Sequence, residues 1–556
     1  MSVLASLFIT GCSQEEIAPG GENNGEATTS YLAVNLVSSD VTGTRAASGY
    51  EDGSTVENKV TKVRFYFFNG TGGAALVKRN GDSYVNYYDW TRDINQKDDN
   101  DDNDIESILS ATIVINTVEQ DKLPTMIAAV VNPTITDNKS RALSDLKEHY
   151  ANYATTSLTS EGSFVMYNAV YAANNTDVSA TSIKPENLQS TEANAKANPV
   201  TIYVERNVAK VSVEIAAGFN ETNNRLALKQ IVNKGQENEQ EEDLKINGNQ
   251  VYLELAGWDL TAESSEGRLI KKINPKWQGT WWNGTRRSFW AINSMREDNK
   301  NVYGNYNVIN NPFTTALYTN ENAQKADIDP IEGHKNLNNT KVILKGKLCD
   351  ADGNAYTIVR HLGTYFMDDP ATFSELKKSI LTQLALSKQY YFAVKEGDIE
   401  VRRDPMTADD IDIVAVEKQE TEEESKNNCY VYAQLSTAGK AKTWYASNSQ
   451  EAQPITNSET MNEELKKEDV VAWALVWKTG MTYYYYDIKH LNDMVGVVRN
   501  HVYKTKVTKI AGLGTPVFNP ELPIYPEQPG KNENYIAAEI DILSWRIVSN
   551  NYELEW

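Results

Sequence analysis

Cys12 is the first residue whose position suggests chemistry, because it ends the short apolar stretch MSVLASLFITGC. The last four residues of that stretch have the pattern of a bacterial lipobox, in which the cysteine is acylated and becomes the mature N-terminus. The segment that follows, SQEEIAPGGENNGEATTS, is polar and Gly-rich, which is typical of a tether and disfavours a buried core cysteine. No Lys or Arg precedes the cysteine, so we expect the true start codon to lie upstream.

The bond between Arg45 and Ala46 is a second reactive candidate. It lies in DVTGTRAASGYEDGST, a loop-like run of small and polar residues, and exposed loops of this kind are preferred sites of proteolysis. An arginine in a loop is usually only a solvated arginine. The residues alone therefore leave both interpretations open.

The sequence contains few residues in a pattern that could bind a metal ion. The acidic residues between 98 and 104 could bind Ca²⁺ through oxygen ligands, but the glycine and the distal glutamate of a calcium loop are absent, which favours a solvated loop. The segment CDADGN, which contains Asp352-Gly353, is better explained as a hairpin turn. We predict no metal and no cofactor.

Thiols and aromatic rings offer two further candidates. Cys349 and Cys429 could pair in an oxidising compartment, but lone thiols are more often buried singly. The tyrosine run 483–486 alternates between the faces of a strand, which predicts packing on one face and a sticky surface on the other. Four tryptophans could stack on sugars, although such clusters in sandwiches are more often core: Trp277, Trp281, Trp282 and Trp290.

Composition indicates a globular, mainly β protein that is not an enzyme. The 556 residues include 30 tyrosines and 11 tryptophans, in short Val/Ile/Thr-rich runs between turn residues. The net charge of −22 argues against a nucleic-acid partner. None of the HExxH, GxSxG, P-loop or dinucleotide motifs occurs, and no run of apolar residues has the length of a transmembrane helix.

The strands that would position these residues form two series. The first strand is SYLAVNLVSS, with Leu32, Val34 and Leu36 on one face. Further strands follow up to a polar stretch after residue 171, which predicts a long loop or linker. The pattern restarts at Val200 with VTIYVERNVAKVSVEIAAG. We therefore place a domain boundary near residue 199. Helices are predicted within 140–154, within 370–387 and near 462–469. Because more than 300 residues are many for one sandwich, the second domain should carry insertions, predicted at 296–337 and 404–468.

The chain ends in a tether and a strand. Five prolines between residues 515 and 530 predict an extended segment that lacks many backbone donors. The strand 535–556 then alternates in two registers with one irregularity between them. Its apolar residues are Ala538, Ile540, Ile542, Leu543, Trp545 and Ile547. Such a strand can pair within its own domain, which is the commoner case, or with a neighbouring molecule.

Several stretches together resemble the fimbrillins of the Bacteroidales type V pilus, most closely the subunits of the short, minor fimbriae. The matching stretches are the lipobox at Cys12, the strand followed by Arg45-Ala46, YVERNVAKV, WWNGTRRSFWAINS, VVRNHVYKTKVTKI and the ending EIDILSWRIVSNNYELEW. They span almost the whole chain. The short signal segment and the enlarged second domain depart from the family pattern.

The resemblance implies an all-β fold with a few short helices, built as two transthyretin-like β-sandwiches in tandem. It implies a signal segment at 1–12, a propeptide with the removable strand at 13–45, sandwiches at 46–198 and 199–514, a tether at 515–534 and a donor strand at 535–556. An arginine-specific extracellular protease would cut at Arg45-Ala46. The emptied groove would then accept the donor strand of the next copy.

The implied partners are copies of the same chain in a head-to-tail polymer, accessory tip and anchor fimbrial subunits, the protease, and the outer membrane through a lipid on Cys12 of the precursor. Such an open head-to-tail contact generates a filament. Because the chain carries both a groove and a donor, we expect a shaft subunit of an adhesive surface fimbria. The alternative from another class is a surface lipoprotein that captures glycans for a nutrient-uptake system; a secreted hydrolase is disfavoured.

Overall fold

The computed structural model describes residues 28–37, 54, 57, 59–80, 83–91, 109–117, 123–154, 164–173, 176–216, 225–232, 240–272, 301–324, 339–415, 430–455, 457–490, 495–526, 535–543 and 548–550. Within these ranges the chain is mainly β with a few short helices, which confirms the predicted fold class. No helix in this part of the chain is long and apolar enough to cross a lipid bilayer.

The N-terminal unit is built from β-strands around one hydrophobic core. Its helices are α1 (Leu143–Lys147) and α2 (Glu192–Ala197). Its strands are β1 (Thr28–Val37), β2 (Lys62–Phe68), β3 (Lys78–Asn80), β4 (Ser83–Val85), β5 (Tyr87–Thr91), β6 (Leu109–Thr117), β7 (Met126–Val131), β8 (Tyr150–Ala151), β9 (Met166–Asn168), β10 (Tyr171–Ala173), β11 (Thr176–Val178), β12 (Thr181–Ser182), β13 (Leu188–Gln189) and β14 (Val200–Arg206).

Strand β14 connects the two parts of this unit. Its first half pairs in parallel with β1, and its second half pairs antiparallel with β9. The strand order is β13-β1-β14-β9-β7-β2-β5, and β6 lies on the other side of β1. Strand β1 is therefore an interior strand of the unit.

Two expectations for this region need correction. The polar stretch after residue 171 is not a structureless linker: it forms the β10–β11 hairpin, and Thr191 caps α2 by accepting a hydrogen bond from the Asn194 N–H at 3.3 Å. The helix predicted within 140–154 ends at Lys147, because Tyr150–Ala151 pair instead with a strand of the second unit. The composition of a segment predicts neither the capping of a short helix nor the pairing of its residues with a distant strand.

Because β14 pairs with β1 and β9 of the N-terminal unit, the boundary between the two units lies at Asn207 and not near residue 199. The C-terminal unit begins with β15, after this single residue. Its strands before a large insertion are β15 (Val208–Ile215), β16 (Arg225–Ala227), β17 (Lys229–Val232), β18 (Gln240–Asp243), β19 (Lys245–Ile246), β20 (Asn249–Gln250), β21 (Tyr252–Thr261), β22 (Glu263–Ser264), β23 (Gly267–Arg268), β24 (Asn301–Val302), β25 (Leu317–Asn320), β26 (Asn322–Gln324) and β27 (Lys341–Cys349).

The insertion has a hydrophobic core of its own. It contains β28 (Ile358–His361), β29 (Thr364–Met367), α3 (Ser374–Ser387), β30 (Tyr391–Glu396), β31 (Ile399–Pro405), β32 (Ile411–Ala415), β33 (Tyr430–Leu435), α4 (Thr437–Lys440), β34 (Trp444–Tyr445), β35 (Pro454–Ile455), α5 (Ser458–Lys466) and β36 (Ala474–Trp477). It is longer than the predicted insertion at 404–468, because β28 and α3, which precede residue 404, belong to the same core. The predicted helices near 370–387 and 462–469 correspond to α3 and α5.

The sheet β29-β28-β36-β33-β32 of the insertion has two buried faces. Val359 and Val476 on one face pack into the insertion core, against α3 among other elements. Ile358 and Trp477 on the other face pack into the core of the C-terminal unit. The insertion is thus joined to the unit through a shared sheet.

After the insertion the chain returns to the C-terminal unit with β37 (Met481–Asp487), β38 (Val495–Val497), β39 (Val502–Ala511), β40 (Thr515–Pro516), β41 (Tyr535–Leu543) and β42 (Val548–Asn550). Two five-stranded sheets, β25-β15-β39-β41-β42 and β16-β21-β27-β37-β40, enclose its core. Residues from both sheets, such as Val211 of β15 and Trp258 of β21, meet there.

Two further corrections concern the surface of this unit. Tyr483 of β37 is 1% exposed, so the outer face of the tyrosine run is not a sticky surface. It is covered by Ile309 and by Val517 and Ile524, which follow β40. The first part of the predicted tether is therefore packed on the unit, and eight residues separate its last described position, 526, from the start of β41.

Candidate assembly site

The first part of the candidate site is the buried strand β1. Leu32 and Val34 are fully buried and Leu36 is 3% exposed, because the strand has neighbours on both edges. On one edge, residues from Thr28 to Leu36 pair antiparallel with β6. On the other, Val34 to Val37 pair in parallel with β14, and Tyr31 and Leu32 pair with β13.

The walls beside β1 are apolar. Leu32 lies opposite Ile113 of β6, and Leu36 lies beside Ile202 of β14; both of these isoleucines are fully buried. Removal of β1 would leave two unpaired strand edges above an exposed apolar floor. An extended segment with apolar residues at alternate positions is the ligand that such a groove fits.

The second part is the C-terminal strand β41, which in the single chain pairs within its own unit. It pairs antiparallel with β39, from Leu543 opposite Val502 to Tyr535 opposite Ala511, with one register shift beside Thr508. Ala538, Ile540 and Ile542 occupy alternate positions of β41 opposite Val507, Thr505 and Tyr503. Among the described strands of this sheet, only the short strand β42 lies beyond β41.

A buried junction links the N-terminal and C-terminal units. Asn207 is the single residue between β14 and β15, and it is fully buried. Its side-chain amide donates to the carbonyl of Leu269 at 2.9 Å, and its backbone N–H donates to Val165 at 3.0 Å. The carbonyl of Val208 accepts from the backbone N–H of Asn500, at 2.8 Å.

Charged groups reinforce this junction. Arg499 and Glu321 form an ion pair at 3.3 Å in which both side chains are fully buried. The Arg499 guanidinium also donates to the carbonyls of Leu269 and Arg268, at 2.9 and 2.7 Å. Leu269 packs into the N-terminal core, so Arg499 connects the β38–β39 turn to a segment shared by both units.

Glu57 makes a second ionic contact across the junction. It accepts from the Tyr318 hydroxyl at 2.7 Å and lies 2.9 Å from the Lys210 ammonium. Burial alone would raise the pKa of the Glu57 carboxyl, but the hydrogen bonds from Tyr318, the Ser54 backbone and Lys210 outweigh burial and hold the pKa below its ordinary value. Glu57 is thus a charged, fixed contact between the first unit and the strands β15 and β25.

Several predicted site residues lie outside the described ranges. These are Cys12, Arg45, Ala46, Trp545, Ile547, the acidic segment 98–104, Cys429 and the four tryptophans from 277 to 290. Cys349 is a buried free thiol whose pKa is raised to about 11 by burial. The Asp350 carboxylate accepts from the Asn354 N–H at 2.8 Å, as expected of a hairpin turn. Among the described residues, no group of three or more His, Cys, Asp or Glu side chains is placed to hold a metal ion.

Sequence reasoning missed the junction. The signal was present, because both β14–β15 and β38–β39 carry the same Arg-Asn step, in VERNVAK and VVRNHVYK. In the structure the side-chain oxygen of Asn500 accepts from the Arg206 N–H at 3.2 Å, so the two steps touch. The pattern in the sequence is an internal repeat of an Arg-Asn pair, and both of its arginines are buried.

The geometry defines a class first: a β-sandwich protein with an apolar strand buried near its N-terminus and a C-terminal strand near the end of a separate sheet. Residues 476–551, which contain β37 to β42, match the family described as major fimbrial subunit protein type IV, fimbrillin, C-terminal. The match covers this C-terminal part of the chain, which is therefore similar to the C-terminal part of the fimbrillins. No curated protein matches the chain in sequence.

The solved structures that match the chain include a fimbrillin, FimA, from Porphyromonas gingivalis, with 12% identity and a TM-score of 0.33 over 91% of this chain and 96% of that one. A tip fimbrial protein with a C-terminal truncation, from the same organism, has 10% identity and a TM-score of 0.30 over 93% of this chain and 100% of that one. Likeness at this level carries no conclusion about function.

Proposed function

We propose that the chain is a shaft subunit of a cell-surface fimbria whose copies polymerise head to tail by strand exchange. The observation that supports this most is the contrast between its two terminal strands. Strand β1 is apolar and lies between β6 and β14, whereas β41 lies near the end of its sheet, beyond β15 and β39 and followed only by the short strand β42. One strand leaves a groove when it is removed, and the other can be donated without dividing its own unit.

In this proposal, the precursor is anchored at the outer membrane through Cys12, and an arginine-specific extracellular protease cuts between Arg45 and Ala46. The segment that carries β1 is then released. Burial of the Leu32, Val34 and Leu36 side chains is worth about 1.5–3 kcal/mol each, which together approaches the whole stability of a typical domain. The emptied unit is therefore strongly driven to take up a replacement strand.

The replacement is the C-terminal strand of the next copy. Ala538, Ile540 and Ile542 have the same alternate spacing as Leu32, Val34 and Leu36, so one set can occupy the positions of the other. Because the donor comes from a second molecule and each copy has one groove and one donor, the contact repeats without closing and produces a filament. Accessory tip and anchor subunits would end this filament, which would support adhesion.

The test is Arg45→Ala in the full chain. After treatment with an arginine-specific protease, the variant should remain monomeric, while the wild type gives a ladder of polymers on unheated gels. The matched control is Arg402→Ala, which removes an exposed arginine of β31 and should polymerise normally. A ladder from Arg45→Ala equal to that of the wild type would refute cleavage at this bond as the trigger.

A further inference from the structure

The parallel pair of β15 and β39 joins the first strand of the C-terminal unit to the strand that precedes its C-terminal segment. Strand β15 begins after the single residue Asn207, so a pull along the chain from the N-terminal unit reaches β15 at its first residue, Val208. At the other end of β39, Ala511, the chain crosses to the second sheet, where β40 pairs with β37 and Val517 and Ile524 are buried. A pull from the C-terminus therefore reaches β39 only after that segment has been released. We propose that this pair is a mechanical clamp that carries tension through the unit.

The direction of the two strands gives the pair its strength. Lys210 lies beside Val502 and Ile215 lies beside Val507, in an unbroken parallel register. When parallel strands are pulled from opposite ends, the load runs along the strands and is shared by all the ladder bonds between them. Those bonds extend from Lys210 N–H donating to His501 to Ala216 N–H donating to Val507, both at 3.0 Å. The bonds must therefore fail together and not one after another.

The N-terminal unit repeats the arrangement. Its first strand, β1, is parallel to its last strand, β14, from Val34 beside Val200 to Val37 beside Tyr203. A pull that enters at the start of β1 and leaves at the end of β14 again shears a parallel pair. Both units thus join their first and last strands in the geometry that resists tension.

The junction keeps the load in this direction. The Arg206 N–H donates to the Asn500 side chain at 3.2 Å, and the Asn500 N–H donates to the Val208 carbonyl at 2.8 Å. These bonds fix the starts of β15 and β39 to each other. The buried Arg499–Glu321 pair fixes the same turn to the N-terminal unit. The unit can therefore not rotate freely into an orientation that would peel the strands apart.

Strand β41 has the opposite geometry. Its last residue, Leu543, lies beside Val502, at the same end of the sheet where β15 is held. A pull on the C-terminus therefore opens the β39–β41 pair from one end, residue by residue. We expect β41 to separate at low force, before the clamp is loaded.

The experiment is single-molecule stretching of the full chain through tags at its two ends. The expected record shows a low-force release of the chain beyond residue 526, roughly 10 nm at about 0.33–0.36 nm per residue. A separate rupture of the C-terminal unit should follow at higher force. Rupture of the unit before or together with this release would overturn the clamp. Because one monomer is stretched, the result does not depend on whether the chain forms a polymer.

A variant and its control test the ladder bonds. Glu214 is exposed on β15 and lies 3.6 Å from Lys506 of β39. Glu214→Pro removes a backbone donor, whereas Glu214→Ala loses the same ion pair and keeps the donor. At constant force the proline variant should unfold about fivefold faster than the alanine variant, as one lost hydrogen bond predicts. Equal rates would overturn the clamp.

A second measurement covers the case in which the proline variant does not fold. The wild-type fold is stretched through handles attached at positions 214 and 506, which lie side by side at the same end of the pair. This pull opens the strands in sequence and should rupture the unit at much lower force than the pull through the two ends. Equal forces in the two directions would overturn the proposal.

Discussion

Leu32→Ala should destabilise the precursor and leave the polymer unchanged. Leu32 is fully buried between β6 and β13, and truncation of a buried leucine to alanine costs about 2–5 kcal/mol. For a unit of this size, roughly 2–4 °C of melting temperature corresponds to each kcal/mol. The uncleaved Leu32→Ala precursor should therefore melt about 5–15 °C below the wild type.

The polymer is expected to behave differently, because β1 has been removed from it. Polymers assembled from the cleaved wild type and from cleaved Leu32→Ala should have the same melting temperature in calorimetry. The matched control is Ile113→Ala, since Ile113 is fully buried opposite Leu32 and stays in the chain after cleavage. Its cost should appear in both precursor and polymer. If Leu32→Ala lowered the melting temperature of the polymer as much as Ile113→Ala does, β1 would be retained and strand exchange refuted.

Three further predictions follow from the described residues. Deletion of residues 535–556 should leave a monomer that melts within a few degrees of the full chain but forms no polymer; a collapsed melt would return β41 to a purely internal role. Glu321→Gln should lower the free energy of unfolding, measured with denaturant, by about 3–5 kcal/mol, because Arg499 stays buried without its counter-charge. The double variant Glu321→Met with Arg499→Met should recover most of that loss, and a double variant as unstable as the single one would contradict this explanation. Burial raises the pKa of the Glu263 carboxyl to about 7, above roughly 4.3 in the unfolded chain. The stability that the protonated carboxyl contributes is therefore present below pH 4 and is lost as pH rises towards 7. Glu263→Gln should gain stability relative to the wild type between pH 5 and pH 8, and a difference that does not change with pH would refute the shift.

The strands themselves were largely predictable. The segment VTIYVERNVAKVSVEI predicted two strands separated at Arg206-Asn207, and β14 does end at Arg206 while β15 starts at Val208. Alternation of buried and exposed residues is a local property, so one sequence is enough to detect it. The strand predicted at 535–556 was correct only for its first part, because the described residues form an antiparallel hairpin of β41 and β42 and not one continuous strand.

What covers each strand was not predictable. Tyr483 alternates with its neighbours as a surface residue would, but the segment around Val517 and Ile524 lies over it. The insertion begins at β28 because Val359 shares a core with α3, and that contact leaves no local pattern. The buried Arg499–Glu321 pair joins residues 178 positions apart. These features depend on long-range packing, which hydrophobic periodicity does not encode.

The base of the insertion has a consequence for the history of this protein. Ile358 and Trp477, near its two ends, are paired neighbours, and the flanking strands β27 and β37 pair directly with each other. The chain therefore leaves the sandwich and returns to it at one point. Because closing a loop costs only about 0.6 kcal/mol more for each doubling of its length, the insertion can become longer or shorter among relatives at little cost to the sandwich. We expect sequence drift and length variation among relatives to concentrate between β28 and β36, which an alignment of related chains would check. The exposed surface of the insertion can therefore vary between relatives while the strands β1 and β41, which lie outside it, stay the same.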